Sequence, residues 1–96
     1  MFRYRVSTFS GKENPTTPHF YVLSKGLNAG KPLDKPCPNC YLVCTEFEEN
    51  RQLFYWLCFA LWKSGYFKKH LVGSVIPFLR INDLRVGLQI VGKHYP

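Results

Sequence analysis

Long apolar runs, carboxylates in the second half and recognisable chemical motifs are all scarce in this chain of 96 residues. The longest apolar run, Leu53–Trp62 (LFYWLCFALW), has ten residues, whereas a membrane-spanning helix needs about 20. No membrane association is expected. Residues 51–96 hold Asp83 as their sole acid against seven Lys/Arg, so a catalytic carboxylate pair has no place there. Glu46, Glu48 and Glu49 cluster just before the apolar run, where a helix dipole favours them without any catalytic role. Glycine-rich phosphate loops need a defined spacing and a following helix, and neither is found. Internal repeats and low-complexity segments are absent, and 96 residues make one domain, 1–96. The start, MFRYRVSTF, has no continuous apolar stretch of the secretory kind. The expectation is a cytoplasmic protein with reduced thiols.

What the chain does have is organised around Leu53–Trp62. On a helix this run puts Leu53, Phe54, Leu57, Cys58, Ala60 and Leu61 on one side. Tyr55, Trp56, Phe59 and Trp62 share the other side with Arg51, Gln52 and Lys63. A surface helix normally has a polar back. An aromatic back means that the helix is covered on both sides or offers that face to a partner.

Period-2 alternation of Phe2, Tyr4 and Val6 with Arg3, Arg5 and Ser7 predicts a half-buried strand. Residues 10–18 (SGKENPTTP) read as a loop, His19–Leu23 as a second strand, and 26–39, rich in Pro and Gly, as irregular structure. Tyr41–Phe47 is the third strand. The main helix, 50–64, takes Asn50 as N-cap and Gly65 at the position after its C-cap. A short amphipathic piece, Tyr66–Leu71, follows. Val75–Leu79, broken by Pro77, reads as an edge strand or extended loop. Asn82-Asp83 reads as a turn, and Val86–Val91 (VGLQIV) as a closing strand. The expected fold is α+β, a small sheet packed on one long central helix plus a short second helix.

Candidate chemistry is thin. Cys37-Pro38-Asn39-Cys40 supplies half of a tetrahedral zinc site, but Cys44, Cys58, His19 and His70 make no tidy second half. A strand after Cys40 also argues against a redox dithiol, whose first cysteine opens a helix. No metal or other cofactor is expected. Ser74, His70 and Asp83 are near one another in sequence with no motif to fix their geometry, so no catalytic residue is assigned and no enzyme is expected.

The charge pattern is more informative. Residues 1–50 carry six Lys/Arg and five Asp/Glu, so nearly all of the net charge of +7 lies in the second half. Such a half suits a polyanion. Lys63, Lys68, Lys69, His70, Arg80 and Arg85 lie close together, with aromatics nearby that can stack on bases.

The segment LFYWLCFALWKSGYFKKHLVGSVIPFLRINDLRVGLQI resembles the end of a target recognition domain from the specificity subunit of type I restriction enzymes. There a helix leads to a short amphipathic piece, a Gly-Ser loop, a capped Asp-Leu turn and a final strand. GLNAGKPL, CPNC and GSVIPF together look like a family of small uncharacterised proteins of bacterial mobile elements and phages. The resemblance implies a target-recognition-like domain that reads duplex DNA through basic loops and performs no catalysis.

These readings converge on a small basic DNA-binding module of a mobile element. Its expected phosphate contacts are Lys68, Lys69, Arg80 and Arg85, with Lys31 and Lys35 from the Pro/Gly loop. The rival reading is an assembly protein that self-associates or docks on a host or phage protein through Tyr55, Trp56, Phe59 and Trp62.

Overall fold

Alternating side chains decide which way each strand faces, and four short strands use that rule to make a sheet with one buried side. The computed structural model describes the backbone of residues 4–93 and the side chains of residues 4–90. Strands β1 (Tyr4–Thr8), β2 (His19–Leu23), β3 (Pro32–Leu33) and β4 (Cys40–Thr45) form one antiparallel sheet in the order β1-β4-β2-β3. Phe2 and Arg3, read as the start of the first strand, lie outside the described residues. Val6 pairs with Val43 and Val43 with Phe20, so an apolar row crosses three strands on one face. Each of these side chains is buried, and full burial of a Val or Phe is worth about 1.5–3 kcal/mol.

Two helices cover that face. Helix α1 (Glu48–Lys63) lays Phe54 and Cys58 on it, and helix α2 (Ile81–Lys93) adds Leu84 and Leu88. The opposite face carries a smaller cluster of Tyr21, Cys40 and Leu42, with Phe9, Leu33 and Cys44 against it. The fold is α+β, as the pattern of strands followed by helices requires.

Helix α1 begins two residues before the expected start. Its N-cap position is Phe47, in an extended conformation and without a side-chain cap, so Asn50 is in the first turn and not the cap. Glu48 and Glu49 supply the favourable interaction with the dipole there. At the other end, Gly65 has φ +87°. Its N–H donates to the Trp62 carbonyl at 3.2 Å, and the Tyr66 N–H donates to the Leu61 carbonyl at 3.0 Å. This paired closure satisfies the last carbonyls and is the reason a glycine stands at 65.

The larger correction concerns the C-terminus. Val86–Val91, read as a strand, is part of α2, so the described strands and α-helices run β-β-β-β-α-α with no closing strand. Ile81, Leu84 and Leu88 recur at helical spacing, and Leu84 and Leu88 are fully buried. Tertiary burial outweighs the β preference of Val86, Ile90 and Val91. The short piece after α1 is a single 3-10 turn, Lys68–His70, and α2 is the true second helix. The Pro/Gly segment contains β3, two residues long, where irregular structure is expected.

Phe67, fully buried, fits between two glycines. A Cβ on Gly30 would run into the Phe67 ring, and one on Gly87 would stand 3.1 Å from it. The loop before β3, the 3-10 turn and α2 meet at this ring.

Candidate nucleic-acid interface

Helix α1 carries aromatic residues at 55, 56, 59 and 62, and the structure turns them into a continuous ladder. Phe20 in the core meets Tyr55 (centroids 5.5 Å apart), which meets Trp56 (5.4 Å), then Phe59 (5.5 Å) and Trp62 (5.6 Å), each pair edge to face or nearly so. Tyr55, Phe59 and Trp62 are half-buried, whereas Trp56 is 61% exposed. The aromatic back of the helix is therefore covered along most of its length and open at Trp56.

The last rung of the ladder is cationic. Lys31 Nζ lies 5.4 Å from the Trp62 ring centroid and Lys63 Nζ lies 5.8 Å from it. Both distances fall within cation–π range. Lys31 arrives there because its loop is bound to the core. The Gly30 N–H donates to the Leu23 carbonyl at 2.7 Å, and the Cys58 thiol donates to the Gly30 carbonyl at 3.3 Å. Lys68 and Lys69 follow α1 directly and are exposed. Beside them His70 stacks on Tyr66, with ring centroids 4.7 Å apart, and its Nδ1 lies 2.9 Å from the Tyr66 carbonyl oxygen. Among the described residues, Lys31, Lys63, Lys68 and Lys69 have no carboxylate partner; the ion pairs there are Arg51–Glu48 and Arg80–Asp83.

The other expected contacts are distributed differently. Arg80 is exposed and donates to Asp83 at 2.8 Å, which offsets part of its charge. Arg85 donates to the Val6 carbonyl at 2.8 Å, tying α2 to β1. That is one edge of the sheet, and Lys31 adjoins β3 at the other, three interstrand spacings or about 14 Å away. Lys35 is exposed in the loop between β3 and β4. The structure thus brings Lys31 and Lys63 together at the C-terminal end of α1, carries Lys68 and Lys69 on the 3-10 turn after it, and leaves Arg85 apart.

Other candidates separate as well. Cys37 Sγ donates to the Asn39 carbonyl at 3.4 Å and Cys40 Sγ to the Cys37 carbonyl at 3.2 Å. Among the described residues no group of three His, Cys, Asp or Glu is placed to hold a metal ion. His70 is engaged with Tyr66 and Asp83 with Arg80. An open groove of about 600 Å³ runs between the 10–18 loop and the outer sheet face, walled by Arg5, Ser7, Glu13, Cys44 and Glu46. Glu13 accepts hydrogen bonds from the Ser10 N–H (2.9 Å) and hydroxyl (2.8 Å), which hold its carboxyl below the usual range. Its mixed charge does not suit a polyanion. No helix among the described residues is long and apolar enough to cross a membrane.

Sequence patterns miss one surface feature, the apolar tip of the segment 73–78. Val75 is 89% exposed and Ile76 64%, and Leu27 on the neighbouring loop is 70% exposed. An apolar run broken by proline gives no sign of whether its side chains turn inward.

No curated protein and no solved structure matches the chain. A family profile does match, across residues 6–94, and on that extent the chain belongs to the family of unknown function DUF6943.

Proposed function

We propose that this protein is a small duplex-DNA-binding module of a mobile element, acting without catalysis through the basic surface at the C-terminal end of α1. One observation carries the reading: Lys31 and Lys63 meet on Trp62 at one helix end, Lys68 and Lys69 stand exposed on the 3-10 turn that follows, and none has a carboxylate partner among the described residues. Lysines so placed release counterions when they meet phosphates, which is the main source of affinity for a duplex. The likeness to a target recognition domain adds support in the helix, the turn after it and the Gly-Ser loop. Its final strand has no counterpart, since α2 stands there. The charge placement is therefore the stronger ground.

The test is a salt titration of binding to a fluorescent duplex. Log affinity should fall linearly with log salt, at about −0.9 per phosphate contacted. Replacing Lys68 and Lys69 by Ala should weaken binding to all sequences alike and reduce the slope by about 1 per lysine removed. Absence of binding at low salt rejects the proposal.

Trp56 supports a second reading, docking of a second copy through α1. Tryptophan is enriched in protein–protein interfaces, and this one, 61% exposed, is the open rung of an aromatic ladder. Light scattering should then report a dimer that Trp56→Ala returns to monomer; a wild-type monomer at high concentration rejects it.

A further inference from the structure

The tip at residues 73–78 is both apolar and rigid. Val72 and Phe78 exchange backbone hydrogen bonds in both directions, at 3.0 and 2.8 Å. The Gly26 N–H donates to the Pro77 carbonyl at 2.7 Å, and the Leu79 N–H to the Ser24 carbonyl at 2.8 Å. Gly73, at φ +101°, turns the chain so closely that a Cβ there would stand 2.9 Å from the Ile76 carbonyl oxygen. Four backbone bonds and one obligatory glycine thus hold Val75 and Ile76 out in solvent. Nothing in the core needs them there.

Cations stand on every segment that leads to this tip. Lys25 pairs with Phe78 across an isolated bridge. Lys68 and Lys69 come a few residues before Val72, and Arg80 comes just after Leu79. Within this neighbourhood the sole carboxylate on those segments is Asp83, already bonded to Arg80. A narrow aliphatic point among cations matches the chemistry of a duplex, whose phosphates flank an apolar stack of bases. Side chains such as Ile, Leu, Phe and Pro inserted at a base step unstack it and kink the helix. Rigidity matters for that task, because a soft loop would fold back before separating two bases. Seating in a bilayer asks for no such bracing.

We infer that the Val75-Ile76 tip is a wedge that enters a base step of bound DNA and bends the duplex, with Leu27 and Phe78 against the exposed sugar edges. This inference rests on the DNA-binding reading and adds to it a mode of engagement. It also names a preferred ligand class: duplexes already weakened by a mismatch or a single-nucleotide gap, where unstacking is cheapest.

The experiment compares wild type with the double variant Val75→Ser/Ile76→Ser on a short duplex labelled at both ends for energy transfer. Wild type should shorten the end-to-end distance and favour a mismatched duplex by about tenfold. The variant should keep the helical circular dichroism and the salt slope of wild type, yet lose both the shortening and the preference. Wild-type binding with no shortening and no preference overturns the wedge while leaving DNA binding intact. No binding at low salt overturns both. Sedimentation with anionic phospholipid vesicles, abolished in the Ser variant while DNA bending is unaffected by it, assigns the tip to a membrane surface and also overturns the wedge.

Discussion

Burial sets the behaviour of Cys58 more than its chemistry does. Its thiol lies inside α1 against the sheet, donates to Gly30, and is pushed far above its ordinary value of 9.0 by loss of solvent. Burial also raises Tyr41, whose hydroxyl donates to the Leu79 carbonyl at 2.6 Å, and Tyr4, with Arg85 partly opposing the rise. In each case the folded protein keeps a proton that the unfolded chain would release at lower pH. The stabilisation is therefore complete below pH 9.0, the ordinary thiol value, and is lost as pH rises beyond it. Urea midpoints should stay level through neutral pH and then fall. Cys58→Ala should reduce the earliest part of that fall, which Cys40 shares, and a wild-type midpoint that holds level well above the ordinary tyrosine value of 10.0 would show that these groups are not buried. Phe67 makes a related point about size. Nothing in FKKH marks its phenylalanine as the ring that fills the space between Gly30 and Gly87. That role exists only once two distant glycines are brought to it.

At the scale of elements, the strands and α1 are legible because each has a local signature. Alternation marks β1, aromatic and β-branched residues mark β2 and β4, and an unbroken apolar run bounded by acids and Ser-Gly marks α1. Helix α2 has a mixed signature. Its VGLQIV fits a strand by residue type, while Ile81, Leu84 and Leu88 fit a helix by spacing, and a reading that starts at Val86 sees only the first. The two alternatives give different mutational patterns. In a strand, Val86, Leu88 and Ile90 would share one face and one cost. In α2, Leu88 is fully buried and Val86 and Ile90 are exposed. Leu88→Ala should cost about 2–5 kcal/mol, and Ile90→Ala should stay within about 0.5 kcal/mol. Equal losses at both positions, measured by denaturant unfolding, would contradict the helix.

For the whole molecule, charge was the legible part of the candidate site and its grouping was not. The near-neutral first half and basic second half can be counted in the sequence. What cannot be counted is that Lys31, from the first half, joins Lys63 on Trp62, while Arg85, from the second, is turned to β1. Those placements depend on which loop packs on which helix. If Lys31, Lys63, Lys68 and Lys69 each meet a phosphate, the log–log salt slope is about −3.6, and a fourfold rise in salt weakens binding by roughly two orders of magnitude. A slope near zero would mean that the affinity comes from elsewhere.

The segment Ser24–Lys31 is fastened along its length, beginning at Ser24, which bonds Asn39 and Leu79. Gly26 holds the tip through Pro77, Gly30 is fixed against Phe67 and Cys58, and Lys31 covers the Trp62 indole. Mechanically it is a lever with its fulcrum in the core. A load on the tip should therefore reach the other arm, where an ammonium sits over a fluorescent ring. The consequence to expect is optical: Trp62 emission should shift when the tip is loaded, and Lys31→Ala should remove that shift.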